Sequence, residues 1–438
     1  MSADRPINAD VPAAETPKPD PPPAPKGPSP KRRRGPIPAA LKGIAALVLV
    51  AIAFIVAAVI GGSGGSESDP GSAAPAPAGE SEAAGAAATE TAERLGYPAF
   101  ATNNTTRVGG SDPAANAAAV SLAVFPSLDP AQRPAAVTLV DEDDWAGAVA
   151  ASVLMSAPVR TPVLVSSSGG LPEATAEALG ALDPQGSGAT RGAIAFAIGD
   201  VATPGADRIT RVKAGSEAAT AAAIAALRDR LFGSGPDHIV LAPADRPEFA
   251  MPAAAWAARS GDPVLFASGA GLPRPTAAVL KRHRDVPVYV LGPSSAVPSQ
   301  IVRAVAELGN EVHRVSGEDP VANAIAFARY ADGGFGWNVN DPGHGFVLAR
   351  SDSPLDAATA APLSASGTWG PLLLTDDPTD LPGPLREYFL DVKPGYTTNP
   401  TRAFYNHVWV IGDQEAIDVN QQAEVNELAE LVKIGGGE

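Results

Sequence analysis

One ten-residue pattern returns three times at nearly constant spacing, and a chain that repeats itself in this way folds as a series of like units. The copies read Arg107-Val-Gly-Gly-Ser-Asp-Pro-Ala-Ala-Asn116, Arg211-Val-Lys-Ala-Gly-Ser-Glu-Ala-Ala-Thr220 and Arg314-Val-Ser-Gly-Glu-Asp-Pro-Val-Ala-Asn323. Their starts lie 104 and 103 residues apart, which sets three units of about that length. Inside each unit the same signals follow in one order. An apolar strand comes first (residues 137–140, 239–241 and 346–348), then an Ala-rich helix, then a Pro-led strand at Pro162-Val-Leu-Val, Pro263-Val-Leu-Phe and Pro371-Leu-Leu-Leu. A Leu-Pro helix start follows at Leu171-Pro172, Leu272-Pro273 and Leu381-Pro382, where proline fits because the first turn has no intrahelical partner for an N–H. A strand ending in glycine completes the series (residues 195–199, 288–292 and 408–412).

Short, continuously apolar strands alternating with helices indicate parallel sheets covered on both faces. Right-handed crossovers then make each unit a doubly wound, flavodoxin- or Rossmann-like α/β domain. The expected repeats are residues 105–209, 210–312 and 313–434, with a short tail at 435–438. Leu431-Val-Lys-Ile434 stands where a fourth Arg-Val strand would come, and is the candidate to close the third unit.

The chain ahead of the repeats differs in kind. Residues 1–36 are rich in Pro, Lys and Asp with almost no large apolar side chains, a composition expected to stay disordered. Residues 44–60 are seventeen uninterrupted apolar residues and, with their flanks at 37–62, are long enough to cross roughly 30 Å of hydrocarbon as one helix. The basic cluster Lys31, Arg32, Arg33 and Arg34 precedes this run and none follows, so the positive-inside rule puts the N-terminus in the cytoplasm and the repeats outside. A cleaved secretory signal is the competing reading; its n-region would be unusually long and Ala74-Pro75-Ala76 lies far downstream. Residues 63–104 have the Gly, Ser, Ala and Pro content of a flexible spacer.

Composition excludes several classes. The chain of 438 residues has no cysteine, which removes disulfides, thiolate metal sites, a Cys nucleophile and a lipidated N-terminal Cys. Its net charge of −16 becomes about −20 once the basic first 43 residues are set aside, a surface that repels nucleic acid. Hydrophobic residues are 45% and aromatic ones only 5%, so the core is expected to be built from Val, Leu and Ala.

The opening pattern, together with Ser353-Pro-Leu-Asp-Ala-Ala-Thr-Ala-Ala-Pro-Leu363 and Pro371-Leu-Leu-Leu-Thr375, resembles the cell wall-binding repeat type 2 family. Units of that family open with Arg-Ile-x-Gly-x-Asp-Arg-Tyr-x-Thr-Ala and carry a Phe-x-Asp-Ala-Leu helix start before a Pro-Ile-Leu-Leu-Thr strand. The resemblance runs from about Thr105 to Ile434. It implies three domains around a pseudo-threefold axis and non-covalent attachment to anionic wall polymers. The second Arg and the Tyr of the family pattern are replaced here by Pro113-Ala114 and Pro320-Val321, and the signature Asp survives only as Asp356.

Candidate polymer-binding residues are Arg107, Arg211, Arg314 and Asp356. Three equivalent guanidiniums suit a repeating anionic chain because each offers a fork of donors, while pairing with a carboxylate at a domain junction is the structural alternative. Asp141-Glu142-Asp143-Asp144, with Asp245 and Asp352 in the other units, offers hard oxygen ligands or else a solvated loop in which Asp144 caps the next helix. Ser166-Ser-Ser-Gly-Gly170 and Ser268-Gly-Ala-Gly271 read as phosphate-cradling loops or as plain turns. No nucleophile elbow, zinc-binding helix or paired catalytic carboxylate is present, and the five histidines are scattered, so neither an enzyme nor a cofactor is expected. The resulting expectation is a membrane-anchored envelope protein, non-catalytic, binding an anionic wall or surface polymer and no nucleic acid. An extracytoplasmic small-molecule binding or sensor ectodomain is the alternative.

Overall fold

The structure, a computed structural model, describes residues 100–435 apart from Ala214 and Thr368, all within one compact unit. The expected tail at 1–36, the apolar run at 44–60 and most of the spacer lie outside the described residues. Among the described residues no helix is long and apolar enough to cross a membrane.

The chain enters on an antiparallel hairpin, β1 (Phe100–Ala101) and β2 (Thr105–Val108), followed by helix α1 (Pro113–Val124). Next come β3 (Val137–Asp141), α2 (Trp145–Ala151), β4 (Val163–Ser166), α3 (Glu173–Leu182), β5 (Ala195–Ile198) and β6 (Ile209–Val212). The middle stretch carries α4 (Glu217–Phe232), β7 (Ile239–Pro243), α5 (Pro247–Ala250), α6 (Pro252–Ser260), β8 (Val264–Ala267), α7 (Arg274–Arg282), β9 (Val288–Leu291), α8 (Ser299–Glu307) and β10 (Val312–Val315). The last comprises α9 (Pro320–Arg329), β11 (Gly345–Arg350), α10 (Pro354–Ala365), β12 (Leu372–Thr375), α11 (Gly383–Asp391), β13 (Gly395–Tyr396), β14 (His407–Ile411), α12 (Val419–Leu428) and β15 (Val432–Lys433).

Two parallel sheets are equivalent, β4-β3-β5-β6 and β8-β7-β9-β10. The third is β12-β11-β14-β2, with β1 added antiparallel at its edge. Each Arg-Val strand is therefore the last strand of a sheet rather than the first. Arg211 lies beside Ala197, Arg314 beside Val290 and Arg107 beside Val410, the same register three times. The third sheet takes its last strand from the beginning of the body, so the three sheets close in a cycle.

This corrects the expectation that residues 431–434 close the third unit. Val432–Lys433 instead pairs with β13 in a separate two-stranded sheet and is exposed. Physical chemistry favours β2 in that place: Thr105 and Arg107 are buried there and hydrogen-bonded to α12, whereas Val432 and Lys433 bring no anchoring side chain.

The central strands and the Pro-led strands are buried along nearly their whole length, as parallel strands covered on both faces must be. The Ala-rich helices explain the small-residue composition. The segment from α2 through the 3-10 turn Ser152–Met155, α6 and α10 pack on one another, and their buried faces are largely alanine, which lets three backbones approach closely. One aromatic seam departs from this rule. Residues 330–344 place Phe335 at 3.6 Å between ring centroids from Tyr289 and at 4.9 Å from Trp256, while Trp337 lies 5.5 Å from Trp256, tying the third stretch to the second.

Candidate functional site

The repeated ten-residue pattern can be read atom by atom. The residue before the helix is its N-cap: Asp112 accepts from the Ala115 N–H, Ser216 from Ala219 and Asp319 from Ala322. The pattern's last residue reaches back over the preceding loop. Asn116 Oδ1 accepts the Gly110 N–H, Thr220 Oγ1 that of Gly215 and Asn323 Oδ1 that of Gly317. Strand, loop and capped helix thus form one hydrogen-bonded unit, built three times.

The arginines serve the same architecture. Arg107, 2% exposed, donates through Nε to Gln422 Oε1 at 3.1 Å and through its terminal nitrogens to the carbonyls of Gly412, Asp413 and Ile417. Arg314 donates to the carbonyls of Gly292 and Val297, and Arg211 to the Val201 carbonyl and Thr203 Oγ1. In each case the guanidinium clasps the turn that follows the neighbouring strand. That turn begins at Gly412, Gly292 or Gly199, all at positive φ, which is why the strand ends in glycine. Burial holds the Arg107 guanidinium below its ordinary value, against the opposing pull of Asp413 and Asp418; burial does the same to Arg314. Arg211 is the exposed member, because residues 199–208 connect β5 to β6 without the covering helix that α8 and α12 supply elsewhere. The three guanidiniums sit on three different sheets, and their partners are main-chain carbonyls and neutral side chains rather than carboxylates.

Asp356 lies in the first turn of α10 and is 7% exposed. Its Oδ1 accepts from Asn116 Nδ2 at 2.9 Å, so the signature acid of the last stretch meets the pattern asparagine of the first. Burial pushes its carboxyl up to about 6, with Asp352 and Asp112 adding to the rise and the Asn116 bond opposing it.

The acidic and serine loops resolve into turns and caps. Asp144 accepts the Gly147 N–H at 2.8 Å, and Asp141 accepts that of Asp143. Asp352 pairs with Arg350, whose donation holds its carboxyl below the usual range. Ser167 and Gly170 exchange main-chain hydrogen bonds, as do Ser268 and Gly271. Asp245 accepts from the Gly269 N–H at 2.6 Å, placing a carboxylate where a phosphate would have to sit. A cleft of about 340 Å³ opens beside this loop, lined by Ser216, Glu217, Ala244, Asp245, Phe266 and Ser268 at the carboxyl ends of β7 and β8. Its two acids suit a cationic or neutral polar ligand better than an anion.

No family model matches the chain, and no curated protein does. Solved structures do. Cwp8 from Clostridium difficile matches with a TM-score of 0.57 at 20% identity, and Cwp6 from Clostridium difficile with a TM-score of 0.58 at 19%. The body shares their fold. Each match covers 75% of this chain but 52% of Cwp8 and 48% of Cwp6, so the chain spans about half the length of those proteins. The likeness, one of fold, supports the resemblance to the cell wall-binding repeat type 2 family.

Sequence reasoning passed over the aromatic residues of the last stretch. In a chain so poor in rings, Tyr330, Phe335, Trp337, Trp369, Phe404 and Tyr405 fall within 76 residues, and that concentration was the available signal.

Proposed function

We propose that this protein is a non-catalytic component of a bacterial envelope, tethered to the membrane by residues 44–60 and holding an anionic wall or surface polymer with its body. The observation that carries the reading is the cyclic set of three parallel sheets, built on one repeated pattern and shared in fold with Cwp8 and Cwp6. The division of the chain into a cytoplasmic tail, a span, a spacer and repeats in a pseudo-threefold arrangement belongs to the same proposal. So does the location: N-terminus inside, body outside. Of Arg107, Arg211, Arg314 and Asp356, the polymer contact is proposed at Arg211, whose guanidinium is exposed; Arg107 and Asp356 are buried in the body's own hydrogen bonds.

Sedimentation of the purified protein with isolated bacterial wall sacculi tests the function. Retention that disappears when the anionic polymer is stripped from the sacculi is expected; equal retention on stripped sacculi, or none on either, defeats the reading. Topology is checked separately: protease added to intact cells is expected to remove the body and spare the tail.

A further inference from the structure

We propose that the loop Pro400–Tyr405, at the amino end of the third sheet, is a glycan-stacking site at which an anionic sugar chain lies across Phe404 and Tyr405. The proposal rests on the polymer-binding function proposed above and names where the polymer sits.

Phe404 is 70% exposed and Tyr405 52%, and with Trp369 at 36% they are the exposed large aromatic side chains among the described residues. All three belong to the last stretch. Trp369 lies 6.2 Å from the His344 ring, and Phe404 lies on the backbone of Gly343, one residue away. A Cβ at Gly343 would fall 3.1 Å from Phe404 and the residue sits at φ +113°, so a bare glycine is what seats the ring. Exposed rings of this kind present a flat apolar face that matches the C–H face of a pyranose.

The loop is held in place. Asn399 Oδ1 accepts from the Thr401 N–H and Oγ1, Tyr405 Oη donates to the Pro400 carbonyl at 2.8 Å, and Asn406 Oδ1 accepts from the N–H groups of Gly343 and His344. Rings presented in a fixed geometry lose little entropy when a ligand is bound. Their surroundings are cationic in an otherwise acidic molecule. Arg402 precedes the rings by two residues, and Arg259 lies over the Trp369 ring at 4.1 Å; neither is ion-paired among the described residues. Asp341 is hydrogen-bonded to His344 beside the strip. Phe100 pairs with Arg107 near the carboxyl end of β2, at the opposite end of this sheet from Phe404 and Tyr405.

The test uses full-length protein in detergent micelles and wall sacculi that retain their anionic glycan. Phe404→Ala with Tyr405→Ala is expected to weaken retention about tenfold, the loss typical of exposed aromatic anchors, with an unchanged melting temperature. Phe404→Trp is expected to retain binding, and Arg402→Gln to weaken it chiefly at low salt. If the double alanine variant is retained like the parent, the proposal is overturned while the function stands. If the parent itself is not retained, both fall. A parent that sediments as a dimer while the double variant sediments as a monomer also overturns the proposal, by showing that a second copy covers the rings.

Discussion

At the scale of single residues, the clasping arginines and the buried ionisable groups make predictions of opposite kinds. Arg107→Ala leaves buried carbonyls at 412, 413 and 417 without their donor and is expected to cost about 3 kcal/mol by denaturant titration. Arg211→Ala, on an exposed strand end, is expected to cost under about 1 kcal/mol; an effect as large as that of Arg107→Ala would refute the distinction. Asp356 and His407 give a pH signature. The folded Asp356 carboxyl, at about 6, keeps a proton that the unfolded chain releases near 4, so its contribution is full below pH 4 and is lost as pH rises through 6. His407, held to about 4 by burial, works the other way: the unfolded chain takes up a proton near 6.5 that the folded one refuses, so stability is lost as pH falls from 6.5 towards 4. The two slopes oppose each other in the parent. Asp356→Asn keeps the volume, removes the first slope, and is expected to raise stability above pH 6 by about 2 kcal/mol while leaving it to fall more steeply on acidification. Melting curves from pH 4 to 7.5 that run parallel for parent and variant would sink this account.

At the scale of elements, the closing strand is the test case. Truncation before Phe100 leaves the third sheet intact, whereas removing residues through Val108 takes away β1 and β2, the register of Arg107, and the Thr102 and Asn104 bonds to Asn426. It also bares the edge of β14. The longer truncation is expected to aggregate or melt well below the shorter one in thermal scans. The same strand shows what was legible beforehand. Periodicity and recurrent order located the buried parallel strands and the helices of the recurring series, because a buried parallel strand must be apolar throughout and a capped helix start needs Asp or Ser before its first turn; β1, β13 and the covering helices α8 and α12 lie outside that series. Sheet membership was not legible: an Arg-Val strand looks alike whether it opens one sheet or ends another, and only the clasp on the turn after β14, some 300 residues away in sequence, decides it. The arginines drew notice as charges, yet what they recognise is main-chain carbonyls, which no residue type reveals. Phe404 and Tyr405 were overlooked because a loop ring resembles a core ring until its seat on Gly343 is seen.

At the scale of the whole molecule, cyclic closure separates the order of synthesis from the order of assembly. The strands ending the first two sheets emerge shortly after their partners, at Arg211 beside Ala197 and Arg314 beside Val290. β2 is among the first strands made, and its partner β14 is nearly the last. During synthesis or export, the first two sheets can complete while Thr105–Val108 waits as a lone strand, and the long loop between it and β14 makes their meeting slow. Pulse-labelled hydrogen exchange during refolding is expected to protect the β5–β6 and β9–β10 ladders before the β2–β14 ladder; simultaneous protection would contradict this. A chain released before β14 emerges keeps an unsatisfied strand beside its point of entry, whatever the state of the rest. The joint that completes the molecule therefore also reports, to any protease or chaperone that recognises unpaired strands, whether synthesis has finished.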